Sequence, residues 1–478
     1  MGNSRRITLL TTPIHVLDDD SLLHVFYLCR PFYGDGDDIA NWTHTGRWWY
    51  ALAQVCYRWR NIILRSATHL GLSLVCTYGT PVAEMLRHSP PFPLVIGYFT
   101  KHRRLTTKDE EGIVLALTHR DRVRRVRLGK PRTIIQKLIV AMDEEYPILE
   151  HLYIALPSND DNMIFRFPET LQAPHLRHLE LQGFAFPIGS PLLTTAVGLV
   201  TLFLVMDDPS TYFHPNTLLQ WISLMPSLET LIIRFKFSIP NHEVERQLTN
   251  APTIAPITLP NLHRFHFQGV STYLEALVHR ITTPRLKDLN INFFNQLTFS
   301  VPHLLQFIIA AESFLLGDAV LTFSESSVGV GVYPYGVSFG ATNEYALGVL
   351  VKSYHLDWQA SSMAQISNSL SQIISTVEHL VLQHSVHSKS SEEHNKVDRA
   401  EWRKFLRPFN NLKTIQIQEG LVKDLSQCLE LEDGDLPLEL LPELHSLTYY
   451  GSRNTDNLFT SFIDARRNAG RPVTVVRE

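Results

Sequence analysis

The amino-acid sequence repeats one short pattern from about residue 120 to its end. The pattern is Leu-x-x-Leu-x-Leu, in which other apolar residues replace some leucines and proline often precedes the first. Its occurrences begin at Val123, Leu149, Leu176, Leu199, Leu228, Leu262, Leu286, Val377, Leu412 and Leu444. The steps between these starts are 26, 27, 23, 29, 34, 24, 91, 35 and 32 residues. Spacings of this kind are typical of stacked repeats, in which no unit buries its core alone.

Each repeat predicts one strand whose alternate apolar side chains face inward, with helices between the strands backing the sheet. Segments 217–225 and 300–316 are predicted helices, and the chain is expected to close with a helix at 459–467 and a strand at 472–476. The step of 91 residues leaves room for about three further units, with candidate strands at 318–323 and 336–339. The alternative is an ordinary α/β domain in which the leucine spacing is coincidental.

The first 82 residues lack the repeat and carry two short apolar stripes. In the first, Leu17, Leu22, Leu23, Val25 and Phe26 surround an acidic run at 18–20, where carboxylates favour a helix N-terminus. The second stripe has helical spacing and consists of Trp49, Leu52, Val55, Cys56, Trp59 and Ile63. Helices this short and this apolar either cap the rest of the protein or bury their surface on a partner.

These two stripes resemble the two halves of an F-box. Leu17-Asp-Asp-Asp-Ser-Leu-Leu-His-Val-Phe26 is similar to its Leu-Pro-x-Glu-hydrophobic-Leu-x-x-Ile-Phe start, with Asp18 and Asp20 replacing proline and glutamate. Val55-Cys-Tyr-Arg-Trp-Arg60 resembles the Val-Cys-x-x-Trp-Arg core of the second half, after a long linker at 30–47. Residues 70–82 look like the continuation found in the F-box family expanded in mushroom-type fungi.

The resemblance implies a substrate-recognition adaptor of a Skp1-cullin-F-box (SCF) ubiquitin ligase. A unit at 1–82, with its core at about 13–75, would dock on Skp1, and a repeat domain at 83–478 would hold a protein substrate. The implied docking residues, with Arg60 at the polar rim, are Leu17, Leu22, Leu23, Val25, Phe26, Val55, Cys56, Trp59 and Arg60. Ubiquitin transfer would occur on partner subunits, without a cofactor on this chain.

The expected fold class is therefore α/β: a small helical F-box-like N-terminal unit followed by an irregular leucine-rich-repeat solenoid, with an irregular insert at about 300–370. A leucine-rich-repeat binding module acting outside any ligase is the alternative. The net charge of −4 gives no reason to expect nucleic acid or an anionic membrane as partner. The four cysteines form no CxxC pair, and no long apolar run suggests a leader or membrane span, so a cytoplasmic or nuclear location is expected.

One basic cluster lies in the first repeat. Its members are Arg120, Arg122, Arg124, Arg125, Arg127, Lys130 and Arg132. If side chains alternate along the predicted strand, Val126 and Leu128 face inward, whereas Arg125 and Arg127 face outward. These two arginines are a possible patch for an acidic or phosphorylated substrate, and the alternative is the solvated face of an early repeat.

The sequence offers little catalytic chemistry. Gly336, Ser338 and Gly340 match Gly-x-Ser-x-Gly, with Asp357 and His379 or His384 following in the order of a hydrolase triad. Pro334 interrupts the strand that this motif requires, and no glycine-rich oxyanion loop precedes it, so a serine hydrolase using Ser338 is a remote alternative to a non-enzyme. Gly329-Val-Gly331 lacks the Gly-Lys-[Ser/Thr] of a phosphate loop, and the spacing of His384, His387 and His394 predicts no metal site.

Overall fold

The computed structural model describes residues 16–31, 47–99, 105–129, 132–156, 165–186, 189–236, 255–294, 298–311, 316–324, 327–334, 346–352, 356–385, 399–431, 436, 438–450 and 458–478. Two compact units are present. Unit 1 comprises Met1–Pro157 and Pro168–Leu176, and unit 2 comprises Ser158–Phe167 and Arg177–Glu478.

Unit 1 contains seven described helices and a parallel sheet. Its helices are α1 (Asp19–Leu28), α2 (Trp48–Ala53), α3 (Tyr57–Arg65), α4 (Ala67–Leu70), α5 (Val82–His88), α6 (Thr107–Thr118) and α7 (Arg132–Ala141). Its strands are β1 (Leu74–Cys76), β2 (Leu94–Tyr98), β3 (Val123–Gly129) and β4 (His151–Ala155). They pair in the order β1-β2-β3-β4, and every pairing is parallel.

Unit 2 is built on a longer, mostly parallel sheet. Its strands are β5 (Phe165–Arg166), β6 (His178–Gln182), β7 (Phe184–Ala185), β8 (Thr201–Met206), β9 (Thr230–Phe235), β10 (Ile257–Thr258), β11 (Arg264–Gly269), β12 (Ile281–Thr282), β13 (Asp288–Phe293), β14 (Leu316–Ser324), β15 (Ser327–Pro334), β16 (Leu347–Lys352), β17 (His379–Ser385), β18 (Thr414–Ile417), β19 (Ser446–Tyr449) and β20 (Thr474–Arg477). The order in its main sheet is β6-β8-β9-β11-β13-β16-β15-β14-β17-β18-β19-β20.

Helices connect many of these strands. They are α8 (Pro191–Thr195), α9 (Pro215–Ser223), α10 (Ser271–Val278), α11 (Pro302–Ile309), α12 (Leu356–Ser369), α13 (Ser371–Ile374), α14 (Arg399–Leu406), α15 (Val422–Leu429) and α16 (Thr460–Asn468), with 3₁₀ turns at Pro209–Thr211 and Glu419–Leu421. The protein is thus α/β, with a large, mostly parallel sheet. No helix of the described segments is both long and apolar enough to cross a membrane.

Every repeat recognised in the sequence forms a strand, as predicted. The apolar residues of the pattern face inward in the predicted alternation: Leu231 and Ile233 on β9 are fully buried, whereas Ile232 between them is half-buried. Parallel register places Leu231 between Leu202 of β8 and Phe265 of β11. Because the register repeats from strand to strand, equivalent positions form continuous apolar layers that no single repeat completes.

The connecting helices agree with the sequence only in part. Segment 217–225 corresponds to α9, which starts at Pro215 and is capped by the His214 ring. The helix expected at 300–316 is shorter, since α11 ends at Ile309 and residue 316 already begins β14. The closing helix and strand are present as α16 and β20.

The insert departs from the expected parallel units. β14 pairs antiparallel with β15, and β15 pairs antiparallel with β16. Antiparallel neighbours do not require the helical crossovers that connect parallel strands. The outer strands of this meander still pair in parallel with the repeats, β16 with β13 and β14 with β17. The strand predicted at 318–323 is confirmed, and the one at 336–339 lies outside the described residues.

Two strands precede the first recognised repeat and were not predicted. All residues of β1 and β2 are buried, so their sequences are continuous apolar runs without the repeat's alternation. β1 lies inside the segment 1–82 and pairs with β2 beyond it. The boundary at residue 82 remains a prediction, but it divides two hydrogen-bonded strands of unit 1.

Candidate functional site

The acidic run at the start of the first stripe caps a helix, as predicted. The Asp18 side chain accepts a hydrogen bond from the Ser21 backbone N–H at 2.7 Å, and Asp19 and Asp20 lie in the first turn of α1. This hydrogen bond to the carboxylate is the main cause that lowers the pKa of Asp18. Asp18 therefore has a definite local role at the position where the F-box pattern usually has proline.

Two of the residues implied to dock on a partner are internal. Leu22 and Phe26 are fully buried, and the Phe26 ring packs edge-on against Trp59 at 4.9 Å between ring centroids. A partner reaches neither side chain unless the helices separate, and the role of Leu22 and Phe26 as contact residues stays a prediction. Leu17, Leu23, Val25 and Trp59 are half-buried.

The second stripe forms two helices instead of one. Cys56 has extended backbone angles, and its sulfur accepts a hydrogen bond from the Trp59 backbone N–H, so α3 starts after a break. Arg60 is exposed, and its Nε donates to the Ala53 carbonyl at the end of α2, so its role at the polar rim stays a prediction. Arg58 joins α3 to the start of α1 through Asp19 and the Leu17 carbonyl.

The helical segment nevertheless leaves large apolar side chains in solvent. They are Val16, Tyr27, Leu28, Val55 and Tyr57, which we call the exposed apolar set. Val55 and Tyr57 are 59% and 76% exposed and flank Cys56, which is also exposed. Of the implied docking residues, Val55, Cys56 and Arg60 are thus exposed, and Tyr57 is an exposed neighbour that sequence reasoning did not select.

The basic cluster is largely engaged in structural contacts. Its described partners are Glu144 for Arg120, the Pro90 and Phe92 carbonyls for Arg122, and Glu150 for Arg124. Arg125 and Arg127 lie on the outward face of β3, as predicted, and both are half-buried. The Arg127 guanidinium lies 4.2 Å from the centroid of the Phe99 ring and 4.9 Å from that of Tyr153. It is therefore a stacked cation on the sheet, and its use as a substrate patch stays a prediction.

The outward face of the unit 2 sheet carries side chains in register. From β9 to β13 one row contains Thr230, Arg264 and Asp288, and the next contains Ile232, His266 and Asn290. Asp288 accepts hydrogen bonds from Arg264 at 2.9 Å and from His266 at 3.0 Å. Burial raises the pKa of Asp288, but these two partners outweigh it and hold that pKa below its ordinary value.

A pocket of about 280 Å³ opens on this same outward face, at the antiparallel insert. Its floor includes Gly329, Gly331 and Gly348, and its walls include the Asn290 and Gln383 amides. From the sequence alone, Gly329-Val-Gly331 suggests only an incomplete phosphate loop. The available signal was glycine at alternate positions of a strand, which leaves one face of that strand without side chains.

The described residues do not form a catalytic or metal site from the motifs considered in the sequence. Ser338, His387, His394 and Lys130 lie outside the described residues, as do the side chains of Arg132 and Asp357. The His379 ring contacts the Thr414 hydroxyl at 2.7 Å, and burial lowers the pKa of His384. Burial also raises the pKa of the Cys76 and Cys428 thiols to about 12, so both are protonated near neutral pH. No cluster of metal-ligating side chains occurs within the described ranges.

Comparisons with known proteins give little further guidance. No family model matches the sequence, and no curated protein matches it. Among solved structures, the leucine-rich repeat-containing protein LegL7 from Legionella pneumophila aligns over 82% of this chain and 97% of its own. The identity is 11% and the TM-score 0.27. A TM-score this low establishes neither a shared fold nor a shared function.

Proposed function

We propose that this chain is a non-catalytic adaptor in which the repeat sheet binds a protein and the N-terminal helices bind Skp1 of an SCF ubiquitin ligase. The observation that carries the protein-binding part is the outward face of the unit 2 sheet. Rows of half-exposed polar and aromatic side chains, in register over consecutive strands, offer an extended surface of the kind that repeat proteins use for partners.

The Skp1 part is supported by the sequence resemblance and by the exposed apolar set. Large exposed apolar side chains on a short helical segment are typical of an interaction surface. Burying Val55 or Tyr57 on a partner stabilises a complex by at most about 1.5–3 kcal/mol per side chain, so several contacts are needed. The internal roles of Leu22 and Phe26 shift the proposed contacts toward Val55, Cys56 and the half-buried Leu23.

The test is co-purification of the full chain with a Skp1 protein. We expect binding by the unaltered chain and at least about tenfold weaker binding by Val55→Asp, since a buried carboxylate at an apolar contact disfavours association. Val197→Asp, at another exposed valine in unit 2, is the matched control and should bind normally. The adaptor role is rejected if the unaltered chain does not bind Skp1. It is also rejected if Val55→Asp and Leu23→Asp both bind Skp1 as tightly as the unaltered chain does.

A binding module that acts outside any ligase is the second candidate. It is favoured by the internal packing of Leu22 and Phe26, which removes two of the implied docking residues from the surface. This candidate predicts that a partner isolated with the full chain stays bound to Val55→Asp, and that no Skp1 accompanies it. The adaptor predicts a complex that contains both proteins.

A further inference from the structure

The pocket on unit 2 exists because neighbouring strands present glycine on the same face. Gly348 of β16 is in register with Gly331 of β15, and the row continues to Asn290 on one side and Val320 on the other. In the next row Gly329 lies between Leu350 and Thr322. The strands that carry Asn290 and Val320 are three inter-strand spacings apart, about 14 Å. Between them the glycines contribute no side chain to this face, and their backbone forms the floor.

Elsewhere in this protein, flat rings cover glycines on two strands and in one 3₁₀ turn. A Cβ atom at Gly129 would collide with the Phe99 ring, one at Gly269 with the Phe267 ring, and one at Gly420 with the His384 ring. Gly129 lies on the outward face of its strand, as Gly329 does. A Cβ atom at Gly329 would meet only ordinary contacts, the nearest being the Val349 carbonyl oxygen at 3.5 Å. No aromatic side chain is among the described residues that line the pocket.

The size and polarity of the pocket limit which chemical groups can occupy it. A pocket of about 280 Å³ falls just below the usual range for a complete drug-sized ligand, but it is large enough for one side chain. Its rim offers amides and hydroxyls, including Asn290, Gln383, Thr322 and Ser327, and none of the described residues that line it is charged. This combination suits a flat apolar body with a neutral polar tip, which is the chemistry of tyrosine.

We propose that this pocket accepts one tyrosine side chain of the protein that the repeat sheet binds. The phenol ring lies on the glycine floor and replaces the missing side-chain layer, and its hydroxyl reaches the amide rim. The proposal rests on the proposed protein-binding function of the sheet. It adds that the pocket selects partners that present a tyrosine. Aromatic anchors in pockets of this type often provide much of the affinity of an interface.

The experiment uses the full chain and short capped glycine-serine peptides that contain one central tyrosine, phenylalanine or leucine. We expect the tyrosine peptide to bind at least about tenfold more tightly than the leucine peptide. Gly329→Thr places a side chain in the pocket and should abolish this preference. The same change at Gly198, where a Cβ atom meets nothing within 4 Å, is the matched control and should keep it. Circular dichroism and thermal unfolding check that both variants are folded.

Rim variants separate recognition of the ring from recognition of the hydroxyl. Asn290→Ala and Gln383→Ala each remove one amide, and at least one of them should lower the preference for tyrosine over phenylalanine. Equal binding of all three peptides, or a folded Gly329→Thr variant that keeps the preference, overturns the proposal. So does displacement of the tyrosine peptide by glucose at least as effectively as by N-acetyl-tyrosinamide, since the pocket then suits a saccharide.

Peptide binding requires no Skp1, so the two proposals fail separately. A retained tyrosine preference without Skp1 association rejects the adaptor role and supports the pocket. Skp1 association without any peptide preference rejects the pocket and leaves the adaptor role in place.

Discussion

At the scale of single residues, burial separates side chains that look equivalent in the sequence. Leu22, Leu23, Val25 and Phe26 form one apolar stripe, and sequence reasoning assigned all of them to a partner. The structure buries Leu22 and Phe26 completely and leaves Leu23 and Val25 half-exposed. Side chains of α3, including Trp59, cover only part of the apolar stripe on α1. The sequence alone could not predict that division, because it depends on where α3 crosses α1.

Phe26→Ala should therefore destabilise the protein even when no partner is present. Loss of a buried phenylalanine removes its contact with Trp59 and leaves a cavity, which typically costs about 3–5 kcal/mol. Urea unfolding measured by circular dichroism gives the change. Tyr27→Ala, at the exposed neighbouring position, is the control and should change the free energy of unfolding much less. Equal effects of the two variants would contradict the internal role of Phe26.

The Asp288 cluster predicts a pH-dependent contribution to stability. The pKa of Asp288 is lower in the folded chain than its ordinary value of 3.8, so its carboxylate form favours folding. This contribution is complete above the ordinary pKa and is lost as the pH falls through the lower pKa of the folded state. Asp288→Asn should reduce the free energy of unfolding at about pH 6, and the difference from the unaltered chain should shrink toward about pH 3.

The matched control for Asp288 is Asp464→Asn on α16. Asp464 pairs with Arg467 on an exposed helical turn, where ion pairs contribute little. Urea unfolding at several pH values should show little change for this variant at any pH. A pH-independent effect of Asp288→Asn would show that shape, and not charge, explains its role.

At the scale of elements, strands were easier to predict than helices. A strand of the repeat is recognised from three apolar positions within six residues, and its inward face follows from alternation alone. The helical spacing from Trp49 to Ile63 also continued through residues 54–56, yet α2 ends at Ala53 and α3 starts at Tyr57. The break depends on the extended backbone of Cys56 and on the Arg60–Ala53 hydrogen bond. Neither changes the helical spacing of the apolar residues, so the sequence pattern does not reveal the break.

Cys56→Val should weaken the start of α3, because valine cannot accept the hydrogen bond from the Trp59 backbone N–H. The expected loss in the free energy of unfolding is about 1 kcal/mol, whereas Cys56→Ser should keep or improve the cap. Thermal unfolding of both variants measures this. Cys29→Val, at an exposed cysteine whose side chain makes no described capping bond, controls for the added bulk and should be close to neutral.

At the scale of the whole molecule, the stacking of strands sets the distribution of stability within unit 2. β9 is hydrogen-bonded to a parallel strand on each side, and its inward side chains are fully buried. β20 pairs with β19, its described neighbour in the main sheet, and three of its four residues are exposed. Local opening requires less free energy where fewer contacts are lost.

Native-state hydrogen exchange should therefore proceed from β20 inward. We expect the backbone amides of β20 to exchange fastest among the strands β17 to β20, and those of β9 and β11 to be among the slowest in unit 2. Mass spectrometry of peptides from the exchanged protein measures this order. Uniform protection from β9 to β20 would contradict repeat-by-repeat stability and would indicate that unit 2 opens as one cooperative block.

Residue pattern alone predicts the positions of the repeat strands, their inward faces and the α/β class. These depend on side-chain alternation within a few residues, which every repeat displays locally. Three further features are visible only in the folded chain: the antiparallel course of β14 to β16, the burial of Leu22 and Phe26, and the neighbours of Gly331 and Gly348. Those features depend on register and contact between segments far apart in the chain. The candidate pocket belongs to this second group, since glycines on separate strands form a floor only when the sheet aligns them.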